Sequence, residues 1–355
     1  MADIAELNIE AELAEQVAAV ASTGGELEIV GNASKRFYGE ASEALSIEVA
    51  AHSGVIDYDP AELVITLRAG CRLSDVEALL QQNRQMFAFE PQHFGEHATV
   101  GGMVASGLAG PRRGFSGSIR DFVLGVKMID GRGEILQFGG RVIKNVAGFD
   151  LSRLLVGSMG TLGIILEVSI RVMPIPETEV SIAFQHETAD AHLEWINELG
   201  SEPFPISASA WYDGASRLRL SGSAQGVEHA IGELGGERID FDWSSLREQT
   251  HAFFDGDAPV TRVSLPPACG DELRDDSQLI EWGGAQRWLR GDVDVSSLRK
   301  RLESDGGSVC AFRNHPAEVR VFQPLPPAIL KLQRNLKSSF DPAGIFNVGR
   351  LYPGW

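Results

Sequence analysis

The stretch TVGGMVASGLAGPRR, residues 99–113, holds four glycines and ends in an arginine pair. Backbone this bare offers N–H groups that no Cβ screens, as close approach to a phosphate requires. The same glycines would also serve tight turns in a β-rich fold, where they supply positive φ without steric cost. Glycine is dense here: residues 95–163 contain sixteen of the chain's 39. Charge reverses over the same region. Residues 91–156 carry eight basic side chains (Arg112, Arg113, Arg120, Lys127, Arg132, Arg141, Lys144, Arg153) against five acidic ones, a net of +3 in a chain of net −18. That coincidence favours an anionic ligand, although such a cluster can also pair with acidic neighbours. The familiar phosphate loops are missing. There is no G-x-x-x-x-G-K-[ST], and no G-x-G-x-x-G after the first strand, so a phosphate site here is of another kind.

Acid–base and metal chemistry leave a weaker mark. His186, His192, His229, His251 and His315 are dispersed, with no H-x-H or H-x-x-x-H spacing among them, and read as surface or core residues. His93, in EPQHFGEH, is the candidate for proton transfer, with loop packing as its alternative role. Cys71, Cys269 and Cys310 are odd in number and far apart. They form no Cys-x-x-Cys pair and argue against a disulfide framework, so no metal site is expected and an iron–sulfur cluster would belong to another chain.

Alternating apolar residues predict strands at ELEIV (26–30), LSIEV (45–49) and LVITLRAG (63–70). Ser74-Asp-Val-Glu77 reads as a capping box opening a helix. FVLGVKMI (122–129), a DGRG turn and EILQF (134–138) read as a hairpin. Ile164, Leu166, Val168, Ile170 and Val172 alternate as in a half-buried strand, ended by MPIPE. Beyond Pro176 strand-like VSIAF, LRLSG and RVFQP alternate with helix-like DAHLEWINELG and VSSLRKRLESDGG, suggesting a second α+β domain over 177–320. This region bears Trp195, Trp211, Trp243, Trp282 and Trp288, candidates for a partner surface or for buried core. The tail, 321–355, is rich in proline and glycine towards its end.

At 355 residues two domains are the natural expectation, and 43% hydrophobic content suffices for a sizeable core. The acidic balance disfavours nucleic acid and anionic bilayers as partners. MADIAELNIEAELAEQVAAV reads as an amphipathic helix over 1–21 rather than a signal peptide, and no apolar run is long enough to span a bilayer. A cytoplasmic protein is expected, membrane-associated only through partners.

Four blocks carry a family resemblance: GNASK (31–35) after the first strand, ATVGGMVASGLAGPRR (98–113), VIKNVAGFDLSRLLVGSMGTLGII (142–165) and IFNVGRL (345–351). Their order resembles flavoproteins of the vanillyl-alcohol-oxidase type, the PCMH-type FAD-binding superfamily. The PRR…RDFVLGVKMIDGRGEILQFGG…KNVAGFDLSRL version is similar to the FAD-binding subunits of bacterial glycolate oxidases. The likeness is dense over 26–176, good in the tail and loose over 177–320.

The resemblance implies an α+β fold: a two-subdomain FAD-binding domain (1–176), a smaller α+β cap domain with an antiparallel sheet (177–320), and a C-terminal segment (321–355) returning to the FAD. It implies that backbone N–H groups of Asn32, Ala33, Ser34 and Lys35 contact the FAD pyrophosphate. Thr99, Val100, Gly101 and Gly102 would close on it from the other side, with Ser106 and Gly107 nearby. Gly160, Thr161, Gly163 and Ile164 would face the adenosine end. Pro91 would lie near the flavin ring, and Asn347 and Arg350 would reach toward it, a turn cap being the other role for Asn347. GNASKRFYG and FGEHATVGG lack the His and Cys to which relatives attach flavin, so the FAD is expected to be non-covalent. The His-rich constellation of related hydroxy-acid dehydrogenases is also missing.

The resulting expectation is an accessory or electron-relay FAD subunit of a multi-subunit glycolate (2-hydroxy acid) dehydrogenase. A sister FAD-containing catalytic subunit and an iron–sulfur subunit would be its partners. A self-sufficient FAD-dependent 2-hydroxy-acid dehydrogenase and an assembly module without flavin are the alternatives.

Overall fold

The computed structural model describes residues 4–140, 150–267, 273 and 277–355. Arg141, Lys144, the 142–149 part of the KNVAGFD block and Cys269 lie outside the described residues.

Helix α1 (Ile4–Thr23) buries Leu13 and Val17. β1 (Leu27–Val30) and β2 (Leu45–Glu48) follow and pair in parallel. The tail joins this unit: Leu27 N–H donates to Ile345 O (2.7 Å) and Asn347 N–H to Leu27 O (2.8 Å). β3 (Val55–Asp59) and β4 (Val64–Arg68) come next, then helix α2 (Leu73–Gln82), β5 (Gln85–Met86) and helix α3 (Val100–Ser106). β6 (Val123–Ile129), β7 (Ile135–Gly139) and β8 (Ile164–Arg171) complete a five-stranded antiparallel sheet in the order β3-β4-β8-β6-β7. β9 (Met173–Pro174) pairs with β5.

Central placement overrides the half-buried reading of β8. Ile164 and Leu166 pack with α1, while Ile165, Val168 and Ile170 join Val100, Met103 and Val104 of α3 in the main core. With layers on both sides, both faces of the strand are covered, each large aliphatic side chain contributing about 1.5–3 kcal/mol by leaving water. The β6–β7 hairpin forms as the sequence predicts. The Asp130 carboxylate accepts from Arg132 and Glu134 N–H (2.8 and 3.0 Å), and Gly133 takes φ +80°.

β10 (Thr178–Gln185), β11 (Ile206–Tyr212), β12 (Ala215–Gly222), β13 (Glu237–Ile239), β14 (Val260–Ser264), β15 (Leu279–Glu281), β16 (Gln286–Arg290) and β17 (Ser308–Arg313) build a second sheet. Its order is β13-β10-β12-β11-β15-β16-β14-β17, antiparallel throughout. Helices Ala189–Leu199 and Ala224–Leu234 supply residues to the core over Ile182, Leu218 and Leu220. An aromatic cluster of Phe254, Trp288 and Phe312 receives Tyr38, Leu108 and Met159 from the first half of the chain. Across the same junction Glu90 pairs with Arg219 (2.7 Å) and Arg112 (3.4 Å), and Glu179 with both arginines.

Three sequence readings are corrected. The first helix residue of α2 is Leu73, so Arg72 is the N-cap and Ser74 lies in the first turn, where it cannot cap. RVFQP (320–324) is irregular, and KLQRNLKSS falls in an unanticipated helix, Pro327–Phe340. The strand β3 adds to the expected set: its VIDYD pattern leaves only alternate residues half-buried at a sheet edge.

Candidate functional site

The loop after β1 and one face of α3 line opposite sides of a cleft. Its walls include Asn32, Ala33, Ser34, Lys35, Thr99, Gly102, Ser106, Asn347 and Arg350, together with Ile29, Glu28, Arg36, Ala105 and Met159. A smaller cavity shares Gly102, Met159 and Asn347 and adds Gly101, Gly160 and Gly163. Three non-glycine residues of positive φ converge here, Ala33 (+56°), Met159 (+53°) and Asn347 (+44°). Such conformations cost on the order of 1–3 kcal/mol each and gather where surrounding structure fixes a site.

On one wall, the main-chain N–H groups of Asn32, Ala33, Ser34 and Lys35 have no protein acceptor among the described residues. Successive unclaimed donors around a left-handed residue form a nest for a compact anion. Lys35 lies in the same loop, its ammonium donating to His93 O (3.2 Å), and burial pushes its pKa down to about 8.

The opposite wall is organised differently from the expectation. Val100 N–H donates to Cys71 O (2.9 Å) and Gly101 N–H to Ala69 O (2.7 Å), so neither donor is free. A Cβ on Gly101 would stand 2.9 Å from Ala69 Cβ and 3.1 Å from Ala69 O; this glycine lets α3 seat on the end of β4. Gly102 differs. A Cβ there would meet only Thr99 Oγ1, at 3.2 Å, and its φ is not left-handed. The protein's own packing therefore asks little of Gly102, and its bare Cα lines both cavities.

The tail holds the walls together. Asn347 Oδ1 accepts from Ile29 N–H (2.7 Å) and its Nδ2 donates to Met159 O. Arg350 donates to the carbonyls of Glu40 (2.6 Å), Arg36 (2.8 Å) and Tyr38 (2.8 Å). Both side chains are committed to protein and act as struts at the cleft. Lys337, which sequence reading missed, does the same from below, donating to Thr161 O and Phe346 O (both 2.8 Å) and pairing with Asp341 (2.6 Å).

Other anticipated residues lie off the cleft. Val100 and Ile164 are core residues, and Pro91 forms a bridge with Ala109. Gly107 is the left-handed C-cap of α3, and Thr161 is buried with its hydroxyl on Ser158 O (2.7 Å). For the six described members of the basic cluster of 91–156, the structure follows the alternative role, partnering within the protein. Arg112, Lys127, Arg132 and Arg153 pair with carboxylates, Arg113 stacks on Trp282 (4.3 Å) and Arg120 donates to Val156 O (3.2 Å). None of these six lines the cleft.

His93 borders a third, more open cavity of about 790 Å³, which meets the first at Ser34. Its Nε2 stands 3.1 Å from the Glu77 carboxylate, and its N–H donates to Glu248 (3.1 Å). His186 and His192 share the Ser216 hydroxyl (2.8 and 2.7 Å), a buried packing arrangement in the second sheet. Among the described residues no group of three His, Cys, Asp or Glu could hold a metal ion, and no helix is long and apolar enough to cross a membrane. Cys71 and Cys310 are buried thiols.

The donor nest opposite a bare Gly102 suits the diphosphate of a dinucleotide. Comparisons with known proteins agree with that geometry. Residues 4–139 match the FAD binding domain family model. The chain is 43% identical to Escherichia coli glycolate oxidase subunit GlcE over 96% of both chains. It is 30% identical to Bacillus subtilis glycolate oxidase subunit GlcD over 41% of this chain and 31% of that protein. Alkyldihydroxyacetonephosphate synthase shares the fold, with a TM-score of 0.62 at 14% identity, over 94% of this chain and 74% of that one.

Proposed function

Because the chain belongs to the family of FAD-binding glycolate oxidase subunits, we propose that it serves as the non-covalent FAD subunit of a multi-subunit 2-hydroxy-acid dehydrogenase. The carrying observation is the set of unclaimed N–H donors at Asn32–Lys35 facing Gly102. In this reading those donors and the Lys35 ammonium hold the pyrophosphate, and the cavity beside Gly160 and Gly163 takes the adenosine end. The ring end enters the larger cavity past Ser34. Asn347 and Arg350 keep the walls in register rather than touching the cofactor. When bound, FAD supplies a two-electron acceptor.

The same reading places substrate oxidation in a sister FAD-containing subunit, related to this chain as GlcD-type proteins are. An iron–sulfur subunit carries electrons onward, the whole lying in the cytoplasm. It divides the chain at residue 176, and among the described residues no strand pairing crosses from the sheets of 27–174 to that of 178–313. His93 is the group placed for proton transfer if substrate reaches this site.

The visible spectrum of the purified chain after incubation with FAD and gel filtration tests the reading. Flavin bands that are released by acid precipitation and stay oxidised with glycolate under anaerobic conditions are expected. Bleaching would make the chain a self-sufficient dehydrogenase, and absence of bands would overturn the cofactor assignment.

A further inference from the structure

The larger cavity is lined by side chains from both halves of the chain, among them Arg72, His93, Glu96, Arg247, Glu248 and Arg313. Most of its charges are already balanced. Arg247 is held by Glu248 (2.8 Å) and lies 3.9 Å from Glu77, which also takes His93 (3.1 Å). Glu248 accepts from His93 and Phe94 N–H (3.1 and 2.8 Å). Two cations remain. Among the described residues neither the Arg72 nor the Arg313 side chain has a hydrogen-bond or carboxylate partner.

Neither arginine is placed for the stability of its own element. Arg313 ends β17 half-buried, with a guanidinium that has lost water and gained no counter-charge. Leaving a partly desolvated cation unpaired is unfavourable. Arg72 occupies the N-cap of α2, where a cation opposes the helix dipole and side-chain oxygens are preferred. Arg72 is exposed and Arg313 half-buried, so Arg313 bears most of the desolvation cost, and among the described residues the Glu96 carboxylate that shares the cavity pairs with neither of the two guanidinium groups. Their planar forks match a carboxylate in two-pronged geometry.

We propose that this cavity recognises the carboxylate of a small organic acid, with Arg313 as its main anchor and Arg72 as its second. The choice of a 2-hydroxy acid rests on the function proposed above; the anion site itself rests on the two arginines. Such an acid would lie beside His93 and next to the Ser34 end of the cofactor cleft, so this chain would hold an acid ligand of its own.

The test is calorimetric titration of the FAD-treated full-length chain with oxalate, a non-oxidisable dicarboxylate, and separately with inorganic phosphate. The variants are Arg313→Gln, Arg313→Lys, Arg72→Gln and, as a remote control, Lys331→Gln. Loss of a charged hydrogen-bond anchor should weaken oxalate by about tenfold or more in Arg313→Gln. A smaller loss is expected in Arg72→Gln and none in Lys331→Gln. Arg313→Lys keeps the charge without the fork and should fall between. Unaltered affinity in Arg313→Gln, or no oxalate binding by wild type, would overturn the proposal, as would phosphate binding as tightly as oxalate. Should Arg313→Gln fail to fold, Arg313→Lys and Arg72→Gln decide, and wild-type affinity in both overturns it. Flavin absorbance of the same samples reports cofactor retention separately: oxalate binding without flavin would remove the cofactor reading and leave this one standing.

Discussion

Lys35 is a largely buried cation whose desolvation the Glu248 carboxylate offsets only in part. With its pKa lowered to about 8, the ammonium is protonated below that pH and largely neutral above it. A diphosphate favours the protonated form, so binding takes up a proton once the free protein has lost it. FAD affinity is therefore expected to be flat below about pH 8 and to fall as pH rises through it. Lys35→Met should bind more weakly at pH 7 and lose that step. Fluorescence titration of FAD quenching from pH 6.5 to 9.5 checks both. Sequence reading assigns Lys35 only a backbone N–H, because side-chain burial is decided by segments as distant as His93 and Glu248.

At the level of single elements, two adjacent glycines of α3 separate into different roles. The TVGG motif gives no means to tell them apart. Gly101→Val would drive a branched side chain into Ala69 and unseat the helix from β4, with a cost of about 1–3 kcal/mol or more. Gly102→Val has only Thr99 Oγ1 to displace and would otherwise fill the cleft. Thermal melts should show a clear loss of stability for Gly101→Val and a near-wild-type midpoint for Gly102→Val, with flavin lost from the second despite its intact fold. Equal midpoints for the two would refute the division. The N-cap of α2 shows the opposite kind of surprise: Ser74 and Glu77 match a capping box, yet the helix begins two residues early because Leu73 is buried and its N–H is taken by Ala98 O (2.8 Å).

Across the whole molecule, the two sheets are joined by a charged junction as well as by the aromatic cluster. Glu90 is its centre: it pairs with Arg219 and Arg112, and its carboxylate also accepts from Arg112 N–H (2.9 Å). Removing one partner of a buried network leaves the others desolvated, so Glu90→Ala is expected to cost about 3–5 kcal/mol. Chemical denaturation with Trp fluorescence would register this, since Trp243 stacks on Arg219 (5.3 Å). A change below about 1 kcal/mol would mean that Glu179 alone suffices to neutralise both arginines. The PRR block thus serves assembly of the two halves, whereas the sequence made it look like part of an anion site.

Local pattern was enough to place most strands, the β6–β7 hairpin and the loops bordering the cleft, because alternation, turn residues and glycine density act over a few neighbouring residues. The four ordered blocks similarly carried the family and its cofactor. Which donors stay free could not be read that way. Val100 and Gly101 spend theirs on Cys71 and Ala69, while Asn32–Lys35 keep theirs, and that allocation depends on strands far apart in the chain. The same holds for the arginines. Arg112 finds Glu179 and Arg219 finds Glu90 only once the second sheet docks, whereas Arg72 and Arg313, unremarkable in sequence, face a cavity in which neither pairs with a carboxylate among the described residues. Residue type sets what a side chain can bind; tertiary packing decides which partners are used up and which sites remain open.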